Sequence, residues 1–208
     1  MAYDDIEYIY GEDQAKELFP YWPEKAEQFI VCGTADSNEA QTVKNKFPDI
    51  KCVGFEPNDM LREKQREKLH FPGKLRSEAI WSSDKELMLS SPTKNPRSSS
   101  VCRDLGPGEL DKTTVQGRSL DSLSDEIGPF NNSVLWIDIE HAELEALKGA
   151  TKLLSSGDIL LINLEVMSVS MRADVTRFLL TYRYKLVHSW GVTIPNKSDL
   201  IFKYFGNK

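Results

Sequence analysis

Cysteine and histidine are both scarce, three of each in 208 residues, and no CxxC pair occurs. Cys32, Cys52 and Cys102 are widely spaced, so neither a disulfide framework nor a metal site is expected, and three reduced thiols suit a reducing compartment. Long hydrophobic runs are missing too. The densest, Ile159–Val166, is interrupted by Asn163 and Glu165, which falls well short of a transmembrane span and leaves no membrane partner expected. The first residues, MAYDDIEYIYGEDQ, have neither the basic start nor the apolar stretch of a signal peptide, so a cytoplasmic location is expected. Positive charge is not in excess: 26 Lys and Arg stand against 32 Asp and Glu, a net charge of −6. Residues 1–60 hold 13 acids and 5 bases, residues 61–120 hold 8 and 12, and residues 121–208 hold 11 and 9. One mildly basic third does not make the phosphate-neutralising face of a nucleic-acid partner. No G-x-G-x-x-G follows a strand-like segment, which disfavours a nicotinamide-dependent oxidoreductase, whose pyrophosphate needs that close backbone approach.

What is present is the composition of an ordinary globular chain, 40% hydrophobic, 10% aromatic and 28% charged. Short apolar segments alternate with longer helical patterns, the signature of an α/β fold with a mostly parallel sheet. The pattern predicts strands over 28–32, 51–56, 75–81, 134–139 and 158–166, and a closing pair over 185–194 and 200–205. Helices are expected over 12–22, 38–46, 57–69, 120–127, 142–154 and 171–182. The alternating charges of Leu61 to Lys68 read as a solvated helix face. Residues 1–27 are expected to form a helical N-terminal extension and 28–208 one domain. Within it the Ser-, Pro- and Gly-rich stretch 85–115 reads as a β-excursion or flap, with Lys94, Arg97 and Arg103 available to an anionic acceptor.

In an open parallel sheet, ligands bind beyond the carboxyl ends of the strands. After the first strand stands Gly33, which either allows close backbone approach to a ligand or merely makes a turn. Glu56 follows the second strand, 23 residues beyond Gly33, where an acid can grip the two hydroxyls of a ribose or cap the next helix. After the fourth strand come Asp138, Glu140, His141 and Glu143, with strand alternation expected to put Asp138 and Glu140 on one side. A histidine there suits general-base work near neutral pH, or replaces a helix cap; Glu143 and Glu145 suit the helix dipole and need no other role.

These residues also carry a resemblance. VGFEPN (53–58), EAIW (78–81), SLDSL (119–123), LWIDIEHAELEALKGATKLL (135–154) and INLEV (162–166) resemble FkbM-type S-adenosylmethionine-dependent methyltransferases, in order and spacing, across about residues 28–205. The resemblance implies a Rossmann-like class I methyltransferase fold of seven strands with the last antiparallel, S-adenosylmethionine as cofactor, and O-methylation of a small-molecule or sugar-like acceptor. It implies that Glu56, flanked by Pro57 and Asn58, holds the ribose, and that Gly33 and Thr34 lie under the methionine part. Glu78, Ala79 and Ile80 would then edge the adenine. Asp138 would face the sulfonium and acceptor, with Glu140 and His141 beside it in catalysis. The chain departs from the family pattern at Val31, where an acid is usual, at Ser37, where a glycine is usual, and at His141, also usually glycine. The degenerate 31–37 loop leaves a second reading, a non-catalytic binding or assembly module on the same fold.

Overall fold

The computed structural model describes residues 12–102, 110–191 and 198–206. Its centre is set by apolar runs that can be buried on both faces. Strand β1 (Gln28–Cys32) lies between β2 (Lys51–Phe55) and β7 (Ser133–Ile137), parallel to both. Strand β3 (Lys74–Arg76) extends the sheet beside β2, and β8 (Ile159–Val166) lies parallel to β7. All residues of β7 and β8 are buried, which is why both read as near-continuous apolar sequence. Strand β10 (Ser198–Tyr204) runs antiparallel between β8 and β9 (Tyr184–Gly191) and completes the seven-stranded order β3-β2-β1-β7-β8-β10-β9.

Side-chain alternation along these strands feeds two cores. Leu135, Ile137, Ile162 and Leu164 pack on one face with the helices α3 (Leu120–Ile127), α4 (Glu143–Lys148), α5 (Thr151–Ser156) and α6 (Val169–Thr181). Phe29, Val31, Trp136 and Leu161 face the other way, toward Ala40 and Val43 of α1 (Asn38–Lys46) and Ala15 and Leu18 of the N-terminal segment. Val31, standing where the family's acid is usual, is therefore an ordinary core residue. Helix α2 (Asp59–Lys64) continues into a π-turn over Gln65–Leu69. No helix among the described residues is long and apolar enough to cross a membrane.

Several boundaries differ from those the sequence pattern predicts. Residues 75–81 are two strands, not one: β3 belongs to the large sheet, whereas β4 (Ala79–Ile80) pairs with β6 (Leu110–Arg118) in a second sheet of order β4-β6-β5. Strand β5 (Lys85–Pro92) and β6 form an antiparallel hairpin, so the 85–115 excursion is a built element; Arg103 lies outside the described residues. The 142–154 helix is broken into α4 and α5 at Gly149, where an added Cβ would sit 2.1 Å from the Trp81 carbonyl oxygen. Asp121 then restarts the helix by accepting the amides of Lys152 and Leu153 at 3.0 and 3.1 Å. The N-terminal helix covers 12–16 and gives way to a 3-10 turn, Phe19–Tyr21, with Pro20 inside it.

Ser37 adopts a left-handed backbone of the kind glycine favours. Its φ is +63°, it precedes α1 without capping it through its side chain, and its buried Oγ has no hydrogen-bond partner among the described residues. Both features oppose folding, by about 1–2 kcal/mol for the left-handed conformation and a comparable amount for the orphaned hydroxyl. Glycine would remove both and lose about 0.5–1 kcal/mol through the unfolded chain's freedom. Ser37→Gly is thus expected to raise stability by about 1–3 kcal/mol. Urea unfolding checks this, and an unchanged or lower midpoint refutes it.

Candidate cofactor and acceptor site

A cavity of about 400 Å³ opens at the carboxyl edge of the sheet, within the usual range for a small-ligand site. Three strand ends and the hairpin build it. Gly33, Ala35 and Asp36 come from the turn after β1; Phe55, Glu56 and Pro57 from the end of β2; Asp138, Ile139, Glu140 and Ala142 from the turn after β7. Glu78, Ala79 and Ile80 form one edge, and residues 95–99 with Val101 form the roof.

Glu56 is buried, and both of its oxygens accept backbone amides, Oε2 from Ala35 at 3.1 Å and Oε1 from Asn58 at 3.0 Å, with the Thr34 amide adding to them. Burial still raises its carboxyl above the usual range, against those amides and the nearby Arg62 guanidinium. Helix capping does not need Glu56, because Asn58 Oδ1 accepts the amides of Met60 and Leu61 at the start of α2. Asn58 does not line the cavity. Its Nδ2 reaches the hairpin, donating to Ser91 Oγ at 3.2 Å and Ser99 Oγ at 3.1 Å. Thr34 is also off the cavity wall; its hydroxyl donates to Gln65 Oε1 at 2.8 Å, and Gln65 in turn donates to the Ala35 carbonyl. Burial alone would raise the Glu78 carboxyl, but the Arg76 guanidinium hydrogen-bonded to it holds it below the usual range.

Strand alternation is not what brings Asp138 and Glu140 together. Strand β7 ends at Ile137, and both acids reach the cavity through a turn in which Glu140 (φ +53°) and His141 (φ +79°) are consecutive left-handed residues. Each costs about 1–2 kcal/mol in a non-glycine residue. His141 does not line the cavity; its amide donates to Glu143 Oε1 at 3.3 Å.

The roof is tied to the turns beneath it. Arg97 pairs with Asp36, which Lys64 also meets at 3.0 Å, and Ser100 Oγ donates to the Glu140 carbonyl at 2.7 Å. Asp36 is therefore a tether for the hairpin. Lys94, the other described base of the hairpin tip, is exposed and off the cavity wall.

Two acids absent from the sequence-predicted site also face the cavity. Glu39 lies in the first turn of α1, where burial pushes it up to about 7, against a hydrogen bond to its own amide and with the charges of Asp138, Asp36 and Asp199 adding to the rise. Glu165, near the end of β8, was visible as a lone acid in an apolar strand. Among the described lining residues seven are acidic (Asp36, Glu39, Glu56, Glu78, Asp138, Glu140 and Glu165) and one, Arg97, is basic.

The strand order, the antiparallel penultimate position of β10 and a ligand cavity over β1, β2 and β7 define a Rossmann-like class I methyltransferase fold. Solved structures with this fold include precorrin-6y C5,15-methyltransferase from Geobacter metallireducens GS-15, at TM-score 0.55 and 10% identity, covering 94% of this chain and 87% of that one. The B. subtilis M1A22 tRNA methyltransferase TrmK matches at TM-score 0.54 and 10% identity, covering 92% and 65%. At such identities the likeness concerns the fold alone. No curated protein matches the chain in sequence. Residues 28–186 match the methyltransferase FkbM domain, and the chain belongs to that family of S-adenosylmethionine-dependent methyltransferases.

Proposed function

We propose that the protein transfers a methyl group from S-adenosylmethionine to a hydroxyl oxygen of a small, sugar-like acceptor. The observation that carries this reading is the roofed, acid-lined cavity with Glu56 at the end of β2. The residues present fit the cofactor. The Glu56 carboxylate retains acceptor capacity beyond its backbone amides, enough for two ribose hydroxyls. Phe55, Ile80 and Leu89 offer apolar surface for a base, and the acidic wall suits a cation. When bound, S-adenosylmethionine supplies an electrophilic methyl on a positively charged sulfur.

In this reading Glu56 orients the ribose, Glu78 to Ile80 edge the adenine, and Asp138 faces the sulfonium. Gly33 keeps the backbone of the first turn close beneath the methionine part. Carboxylates accept hydrogen bonds from hydroxyls, so the acidic wall favours a neutral polyhydroxy acceptor over an anionic one, and Arg97 is already engaged by Asp36. Asp138 and Glu140 stand on the wall, where the acceptor's proton is released; His141 stands off it. Transfer to a carbon-bound oxygen needs alignment more than covalent help, and enclosure beneath the roof serves that. The rival reading, a binding module with a decayed loop, loses its main support: Gly33 (φ +80°) and Ser37 (φ +63°) keep a left-handed, glycine-like backbone.

Titration calorimetry with S-adenosylmethionine and S-adenosylhomocysteine tests the cofactor half. Ionised Glu39 attracts the sulfonium, and burial pushes its carboxyl up to about 7. The preference for S-adenosylmethionine over the uncharged product is therefore expected to grow by at least about threefold from pH 6 to pH 8. Glu39→Gln should flatten that growth. Absence of binding by the parent protein refutes the reading. Labelled methyl transfer to hydroxyl-bearing and amine-bearing compounds then separates O- from N-methylation.

A further inference from the structure

We propose that Glu143 is the positioning residue of this site: its carboxyl group holds the glycine-free turn 138–142 in the shape that presents Asp138 and Glu140 to the cavity. The inference deepens the methyl-transfer reading and rests on it for the identity of the ligand, though not for the geometry.

Four observations converge on Glu143. It is 1% exposed, although an acid at the start of a short surface helix would ordinarily be solvated. Its Oε1 accepts two amides of the preceding turn, Ile139 at 3.2 Å and His141 at 3.3 Å. Those amides flank Glu140, and the two residues the turn forces into left-handed backbone are Glu140 and His141. Neither is glycine, so local preference opposes the turn and an outside group must hold it. Finally, the other oxygen, Oε2, is buried without a hydrogen-bond partner among the described residues. A favourable helix dipole explains none of these, since it would be served equally well from solvent.

Two further contacts of the turn show what Glu143 adds. The Asp138 amide donates to the Cys32 carbonyl at 3.0 Å, and Ser100 of the hairpin donates to the Glu140 carbonyl. The strand side and the roof side are thus fixed, and Glu143 fixes the amides between them. Burial, with the charge of Asp138 adding, pushes the Glu143 carboxyl up to about 8, against the two amides it accepts and its own. The protonated acid therefore predominates at neutral pH, and an orphaned Oε2 is far less costly as part of a neutral acid than as a buried charge. A neutral carboxyl group has glutamine as its close isostere: the amide oxygen can take both backbone N–H groups.

The test compares Glu143→Gln, Glu143→Asp and Glu143→Ala with the parent by two readouts. The first is amide hydrogen exchange at Ile139 and His141, read against the amides of β7. Alanine and aspartate, the latter one methylene too short, are expected to speed exchange at both amides by about tenfold or more, the scale of one lost hydrogen bond, with β7 unchanged. Glutamine is expected to restore protection. The second is calorimetric affinity for S-adenosylmethionine, expected to fall at least about tenfold in the alanine and aspartate variants and to stay within about threefold in the glutamine variant. Unchanged protection at Ile139 and His141 in the aspartate variant overturns the proposal. So does faster exchange with unchanged affinity, since Glu143 would then support the fold and not the site. If the parent binds no S-adenosylmethionine, the methyl-transfer reading falls, and exchange alone decides whether Glu143 holds the turn. Should alanine fail to fold, aspartate and glutamine carry both readouts.

Discussion

Replacing Glu56 by alanine is expected to weaken S-adenosylmethionine binding by about 30- to 1,000-fold, the equivalent of roughly 2–4 kcal/mol for two charge-assisted hydrogen bonds to ribose hydroxyls. The side chain is well prepared for that task. It is buried at the cavity wall, and the amides of Ala35 and Asn58 fix both of its oxygens, so little ordering remains to be done on binding. The same amides complicate alanine, which leaves these backbone donors without their acceptor. Glu56→Gln separates the effects. It fills the same volume and keeps one acceptor oxygen, so it should fold more like the parent while losing much of the affinity. Calorimetry alongside thermal unfolding reads both quantities. An affinity unchanged in the alanine variant rejects the ribose assignment.

Gly33→Ala is expected to damage fold and site together, lowering stability by about 2–5 kcal/mol and abolishing measurable cofactor binding. Gly33 has φ +80°, and a Cβ built there would lie 1.9 Å from the Asp138 carbonyl oxygen and 2.9 Å from its carbon. The glycine cannot retreat, because its amide donates to the Phe55 carbonyl at 2.9 Å. Relief must come from Asp138, the residue read as facing the sulfonium. Gly191→Ala is the control: among the described residues nothing lies within 4 Å of its added Cβ, its φ is not left-handed, and it should change stability by no more than about 0.5 kcal/mol. Chemical unfolding and calorimetry of the two variants check the pair, and equal stability of both would refute the close approach at Gly33.

Where local pattern and tertiary environment agree, the sequence reads to the residue. Gln28–Cys32, Asn38–Lys46 and Leu120–Ile127 have the predicted bounds because apolar runs, Pro48, and the Ser119 cap all act locally. Where a distant partner decides, it does not. Gly149 looks tolerable within a helix until the Trp81 carbonyl fills the space beside it. Residues 75–81 look like one strand until β2 and β6 claim different ends. The site divides the same way. Glu56 and Asp138 were legible because strand ends announce themselves. Glu39 was not, since a helix-start acid is ordinary and only the cavity beside it makes it otherwise. Glu143 was read as serving the helix dipole, although its two bonds run backward into the turn.

The hairpin of β5 and β6 has a dynamic consequence. Among the described residues its polar tethers to the site include an arginine–aspartate pair and serine and asparagine hydrogen bonds, each worth about 1 kcal/mol, whereas the turns it covers grow from strands buried on both faces. Opening of the roof is therefore a local event, far cheaper than loosening the sheet. The cavity can then be reached by loosening the hairpin alone, while the turns that carry Glu56, Gly33 and Asp138 stay with the sheet.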